Sequence, residues 1–130
     1  MNVPLISVNH AIKTFRLGGV QVQALRDVSF NVEGGGIVAL MGPSGSGKST
    51  LLNLIGALDS PSSGEISVKG QQLNQLDADQ RAEFRNQTVG FVFQNFNLIP
   101  VLTTIENVLL PNQLGSSKSN SDEIAVRARK

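Results

Sequence analysis

Glycines at 42, 45 and 47, a lysine at 48 and hydroxyls at 49 and 50 fall within nine consecutive residues, Gly42-Pro43-Ser44-Gly45-Ser46-Gly47-Lys48-Ser49-Thr50. Their spacing is G-x-x-x-x-G-K-[ST] without a mismatch. The chemistry open to such a stretch is polyphosphate binding. Successive backbone amides must curl around a β-phosphate, which asks for glycine where the chain takes unusual angles or comes close to the ligand. Lys48 is then placed for the β- and γ-phosphates, and the Ser49 hydroxyl for Mg²⁺. The pattern predicts a nucleoside triphosphate held by Gly42 through Thr50. A Gly/Ser-rich surface turn produces the same letters by accident, so the flanking elements decide between the two.

Those elements are a strand before and a helix after. Ile37-Val38-Ala39-Leu40-Met41 is a short apolar run of the kind found in a buried parallel strand. Leu51, Leu54, Ile55 and Leu58 recur at i, i+3, i+4 and i+7, which predicts an amphipathic helix with its N-terminus at the phosphates and its end at Pro61. Upstream, Ile6, Val8 and Ile12 suggest a half-buried strand that breaks at Leu17-Gly18-Gly19, and Val22 to Val32 a second one that ends in the turn Glu33-Gly34-Gly35-Gly36. An antiparallel β-layer is therefore expected ahead of the phosphate loop. Phe15 stands near the first turn, where the residue pattern fits a core or edge aromatic.

Downstream, Glu65-Ile66-Ser67-Val68-Lys69 alternates as a short strand between Gly64 and Gly70. Asp77 to Arg85 suggests a polar helix with an acidic start and a solvated charged face. Val89-Gly90-Phe91-Val92-Phe93 is the next apolar run and ends on Gln94, which as a core strand would put Gln94 at the carboxyl edge where α/β sheets gather ligands. A surface polar residue is the plainer alternative for Gln94. Thr103-Thr104-Ile105-Glu106 has the spacing of a capping box and opens an apolar helix expected to stop at Pro111. Residues 115–121 suggest a flexible loop and Asp122-Glu123 a marginal last helix, as if interrupted, with Glu123 and Arg127 spaced as an i, i+4 pair.

Composition narrows the classes. The 130 residues suffice for one domain, expected over residues 5–130, and a hydrophobic fraction of 40% is ordinary for a globular chain. Eleven basic against ten acidic residues leave a formal charge of +1, too little to mark a nucleic-acid partner or an anionic membrane surface. With no cysteine there are neither disulfides nor thiolate metal sites. No basic n-region with a long apolar stretch opens the chain, and no run nears the ~20 apolar residues that span a bilayer. His10 is the only histidine, so a histidine metal cluster or a Ser-His-Asp triad has no material, and a strand-surface role is expected for it.

Two long blocks, GPSGSGKSTLLNLIGALDSPSSGEISVKG and VGFVFQNFNLIPVLTTIENVLLP, resemble the first half of the ATP-binding cassette of ABC transporters, in particular the lipoprotein-release and macrolide-export type. The resemblance implies an α/β fold of the P-loop NTPase ABC type: an antiparallel β-layer, part of a parallel-sheet core and the start of a helical subdomain. It implies ATP and Mg²⁺ as cofactors, Phe15 as the aromatic that stacks on adenine in place of the family's common tyrosine, and Gln94 as the Q-loop glutamine that joins Ser49 at the Mg²⁺ site. It further implies a second cassette, an integral-membrane transporter subunit contacted through Asn95 to Pro111, and a cytoplasmic location peripheral to the membrane. Gly36 departs from the family's usual glutamate, at a place remote from the phosphates.

The family's signature motif, its apolar run ending in Asp-Glu and its switch histidine have no counterpart in these 130 residues. Asp122-Glu123 follows Ser119-Asn120-Ser121 rather than an apolar strand, and Asp59 follows Leu58 but sits at a helix end. The expectation is a chain in which Lys48 and Gln94 contribute to a catalytic centre that is not complete, so that it binds Mg-ATP weakly without useful turnover. Two alternatives stay open: a remnant that binds nucleotide without hydrolysis, and a P-loop small-molecule kinase. GPSGSGKST also resembles the loop of guanylate-type kinases, against which stand the 41 preceding residues and the lack of an Arg-rich lid.

Overall fold

In the computed structural model, which describes residues 3–114 and 126, the chain begins with a long hairpin. Strand β1 runs Ile6–Leu17 and β2 runs Val20–Val32, paired antiparallel with Leu17 opposite Val20. The two residues between them, Gly18 and Gly19, have φ of 54° and 85°, the left-handed pair that a two-residue hairpin turn matched to strand twist requires. After the phosphate loop comes helix α1, Lys48–Ile55. Strand β3, Ser63–Val68, returns to pair antiparallel with the other edge of β1, and a short β4, Gln71–Gln72, follows a tight turn at Lys69-Gly70. The sheet order is β2-β1-β3-β4.

One face of this sheet is dry. Val8 pairs with Ile66, and with Ala11, Leu25 and Val68 they are buried beside Leu51 and Leu54 of α1. An isolated helix of eight residues is marginal in water. Burial of two leucines, each contributing about 1.5–3 kcal/mol, holds α1 in place. The helix ends one turn earlier than Pro61 suggests: Gly56 is the C-cap and Ala57 turns left-handed at φ 54°. That reversal leaves Leu58 exposed while Ala57 is buried.

The chain divides into two units, Met1–Ala82 and Glu83–Lys130. A 3-10 turn at Leu73–Gln75 leads into helix α2, Ala78–Thr88. Asp77 and Gln80 cap it reciprocally: Gln80 N–H donates to Asp77 Oδ1 at 2.9 Å and Asp77 N–H to Gln80 Oε1 at 3.0 Å. Phe84 is its one buried residue, and of the charged face Asp79 and Glu83 are exposed as expected while Arg81 and Arg85 are half-buried. Helix α3, Thr104–Leu114, starts with the capping box that its sequence spells. Thr103 N–H and Oγ1–H donate to Glu106 Oε2 at 2.7 and 2.6 Å, and Glu106 N–H reaches back to Thr103 Oγ1 at 3.4 Å. Pro111 does not stop α3 but lies inside it. A proline there removes one backbone donor without unwinding the turns before it. The loop and last helix expected beyond residue 114 lie outside the described residues.

A further expectation, on two apolar runs, is corrected. Neither Ile37-Val38-Ala39-Leu40-Met41 nor Val89-Gly90-Phe91-Val92-Phe93 forms a strand, and the ladders among the described residues are all antiparallel. Ile37 and Val92 are fully exposed. An apolar run acquires strand structure only when a neighbouring strand takes its amides and carbonyls, and no described strand pairs with either run. No parallel ladder occurs among the described residues, while the antiparallel layer expected ahead of the phosphate loop is present.

Candidate functional site

The phosphate loop is seated on the hairpin. A Cβ added to Gly47 would lie 2.5 Å from the Ala24 carbonyl oxygen and 2.9 Å from Leu25 Cδ2. The carbonyl belongs to β2 and cannot yield. Gly47 also has φ 90°, so glycine is required there both by conformation and by close approach. Ahead of it Ser46 N–H donates to Pro43 O at 3.3 Å and closes a turn over Ser44 and Gly45, the latter at φ 78°. Gly42 leaves room for Ser46, whose Oγ would stand 2.8 Å from a Cβ at 42.

Helix α1 opens without a cap. Its N-cap is Gly47, no side chain bonds to its first turn, and its first helical bond is Leu51 N–H to Gly47 O at 2.9 Å. The amides before Leu51 therefore have no helical acceptor and carry the positive end of the helix dipole. Lys48 Nζ adds a full charge, donating to Gly42 O at 2.8 Å, Pro43 O at 2.7 Å and Ser46 Oγ at 3.4 Å. None of these three acceptors is charged. A phosphate oxygen would offer the ammonium a full negative charge, which none of these acceptors carries. Ser49 is exposed and Thr50 half-buried on the first turn.

Phe15 lies on the same hairpin, opposite Val22. Val22 is three residues along β2 from Leu25, the residue that touches the loop, or roughly 10 Å of strand. The Phe15 ring is 37% exposed, which leaves it available as a platform. Lys13 Nζ lies 5.0 Å from its centroid. The same ammonium donates to Asp59 Oδ1 at 2.6 Å and to Ser60 O at 2.7 Å. Burial raises the Asp59 pKa, but the Lys13 and Ser60 N–H bonds, with the charges of Lys13 and Arg81, outweigh it and hold the carboxyl below its ordinary value. Arg81 also donates to Ser60 Oγ. Asp59 is thus a structural anion in the turn after α1.

Sequence reasoning placed Asp59 at a helix end but did not connect it or Ser60 with Lys13. The readable signal is that Lys13 and Phe15 are two apart on one strand and so share a face. Gln94 belongs to the second unit, where it is exposed in a bend directly after Phe91 and Phe93, whose rings stack at 5.5 Å with planes 2° apart. His10 sits on the strand surface as expected, at a bulge with φ 49°, its Nδ1 2.7 Å from Asp27 Oδ1.

No group of three His, Cys, Asp or Glu able to hold a metal occurs among the described residues. That donor set fits Mg²⁺ in one way. Mg²⁺ keeps several waters and is commonly bound through one or two protein oxygens plus substrate phosphates, and Ser49 Oγ is such an oxygen beside Lys48. No helix among the described residues is long and apolar enough to cross a membrane.

The family model described as "ABC transporter" matches residues 25–130. The chain is 51% identical over 107 residues, 82% of its length, to the macrolide export ATP-binding/permease protein MacB of Syntrophobacter fumaroxidans, covering 15% of that protein. It is 48% identical over 107 residues to an uncharacterized ABC transporter ATP-binding protein of Methanocaldococcus jannaschii, covering 82% of this chain and 46% of that one. Against the lipoprotein-releasing system ATP-binding protein LolD 1 of Rhodopirellula baltica the figures are 42% over 124 residues, 95% and 54%. Among solved structures, a dimeric ATP-binding cassette in a post-hydrolysis state bound to ADP and Pi superimposes with a TM-score of 0.86 at 42% identity. That match covers 95% of this chain and 54% of that one. The chain spans about half the length of such single-cassette relatives.

Proposed function

Because the chain belongs to the ABC transporter family, we propose that it is the nucleotide-binding part of a transport ATPase, taking Mg-ATP at Gly42 through Thr50. The observation that carries this is the uncapped start of α1 with Lys48 beside it: amides without helical acceptors adjoin one ammonium whose described acceptors are two carbonyls and a hydroxyl, all neutral. In this reading the loop amides would receive the β-phosphate, Lys48 Nζ would bond the β- and γ-phosphate oxygens, and Ser49 Oγ would supply a protein oxygen to Mg²⁺. Bound there, Mg²⁺ neutralises phosphate charge. Phe15 presents its exposed face to adenine.

Hydrolysis of the γ-phosphate requires a group that orients water, together with charge stabilisation from several sides. Asp59, the carboxylate nearest in sequence after α1, is engaged by Lys13 and does not serve. We assign binding without useful turnover to this chain by itself, and coupled hydrolysis to an assembly of two cassettes with a membrane subunit on the inner face of the membrane. The segment Asn95 to Pro111 is the proposed contact for that subunit. Within it Phe96 and Val101 are each 88% exposed, more apolar surface than a solvated loop needs.

The experiment is a displacement titration of ribose-labelled ATP on the purified chain, with phosphate release measured in parallel. Binding that Lys48→Ala weakens by about a hundredfold or more, corresponding to loss of a buried charge-assisted contact of about 3 kcal/mol, supports the assignment. Binding indifferent to Lys48→Ala, or phosphate release that Lys48→Ala abolishes, refutes the binding site or the lack of turnover respectively.

A further inference from the structure

Helix α1 connects two places. It begins at Lys48 in the phosphate loop, and the turn after it ends at Asp59. Asp59 Oδ1 and Ser60 O each hold Lys13 Nζ, at 2.6 and 2.7 Å, and Ser60 N–H donates to Asp59 Oδ1 at 2.7 Å. The corner is pinned to β1 twice more, by Ser62 N–H to Ile12 O at 2.7 Å and Thr14 N–H to Ser62 Oγ at 3.0 Å. The Lys13 side chain is only 12% exposed, so its ammonium is fixed rather than waving in solvent. That ammonium stands 5.0 Å from the centroid of the Phe15 ring, within the range at which a cation is attracted to an aromatic face.

We propose that Lys13 is a positioning residue for the base of the nucleotide: anchored by Asp59 and Ser60, it holds the Phe15 ring at one orientation so that the ring's free surface is set for a purine. The proposal rests on the reading of Phe15 as the base platform. Its physical content is preorganisation. An exposed phenylalanine on a hairpin has rotamers to lose on binding, and a ring already held loses fewer. Because the anchor lies in the turn after α1, the same helix that presents the phosphate amides also fixes the base platform. Phosphate and base are then gripped from the two ends of one rigid element.

The test separates base from phosphate. Ribose-labelled ATP bound to the full chain is displaced by unlabelled ATP and, separately, by inorganic tripolyphosphate, which has no base. Lys13→Met keeps the aliphatic stem and removes the charge. It is expected to weaken ATP about two- to fivefold, the size of a modest cation–π contact, and to leave tripolyphosphate unchanged, while Lys13→Arg restores ATP. Phe15→Leu is expected to cost ATP about five- to a hundredfold by loss of stacking. In the Phe15→Leu background Lys13→Met is expected to have no further effect, since contacting residues are not additive.

Equal weakening of both probes by Lys13→Met makes Lys13 a merely structural residue and overturns the proposal, as does ATP affinity unchanged by Lys13→Met when Phe15→Leu reduces it. If Phe15→Leu leaves ATP affinity intact, the base platform itself is wrong and the proposal falls with it. Asp59→Asn guards against a misfolded Lys13→Met. It keeps the ammonium and loosens its anchor, with the same selective loss for ATP expected and an unselective or absent loss refuting it.

Discussion

Helices α2 and α3 begin with side chains closing their first turns, and helix α1 does not. At α2 Asp77 and Gln80 exchange hydrogen bonds, and at α3 Thr103 and Glu106 do the same. At α1 the N-cap is a glycine with nothing to offer. A glycine N-cap ordinarily gives up only roughly a few tenths of a kcal/mol relative to a good side-chain cap. Here it falls in the one place where glycine is also demanded by the carbonyl of Ala24. The difference separates helices whose ends serve the fold from a helix whose end serves a ligand. It also means that α1 must be held by something other than its terminus.

That something is its buried face. Leu54 is 1% exposed, and Leu54→Ala is expected to destabilise the chain by about 2–5 kcal/mol, measured by urea unfolding. A loss below about 1 kcal/mol would mean that α1 does not depend on packing. Gly47→Ala places a Cβ against a backbone carbonyl at φ 90° and is expected to cost about 1–3 kcal/mol in strain. It should abolish binding of labelled ATP in the same preparation. Thr103→Ala and Asp77→Ala remove caps and should each cost about 0.5–2 kcal/mol with ATP affinity unchanged. A cap variant that weakens ATP would break the distinction between the two kinds of helix start.

The smallest effect is on acid stability. Burial would raise the Asp59 pKa, but Lys13 and Ser60 bring it below its ordinary value, and the Thr103 hydrogen bonds lower that of Glu106. Each has a folded pKa below its unfolded one. The stabilisation is thus fully present above the unfolded value, about 4 for such carboxyls, and is lost as pH falls through the lower folded value. Asp59→Asn should flatten the stability profile below about pH 4 and leave its slope near neutrality unchanged. A slope altered near pH 7 instead would assign Asp59 a different partner.

Much of the molecule was legible because it is local. Gly18-Gly19 specifies a hairpin by two left-handed angles, Thr103 to Glu106 a helix start by three-residue spacing, and Gly42 to Thr50 a phosphate loop by types that few other purposes require. Leu51 and Leu54 were readable as the buried face of α1 from periodicity alone. The Asp77–Gln80 box is equally local, its two residues lying three apart.

What the sequence by itself determined is the chemistry on offer: a polyphosphate-binding pattern with one lysine and one hydroxyl. Those depend on residue types and on spacings of fewer than ten positions. Tertiary structure alone decided how these parts are held. Ala24 of β2 makes Gly47 obligatory, 23 positions away, and Asp59 claims Lys13 from 46 positions away. Nor could the segments 37–41 and 89–93 show that they pair with no strand among the described residues. A strand exists only by virtue of the neighbour that satisfies its backbone, and an ion pair only by virtue of the fold that brings both charges together. Neither neighbour nor fold is a property of the segment in which they are read.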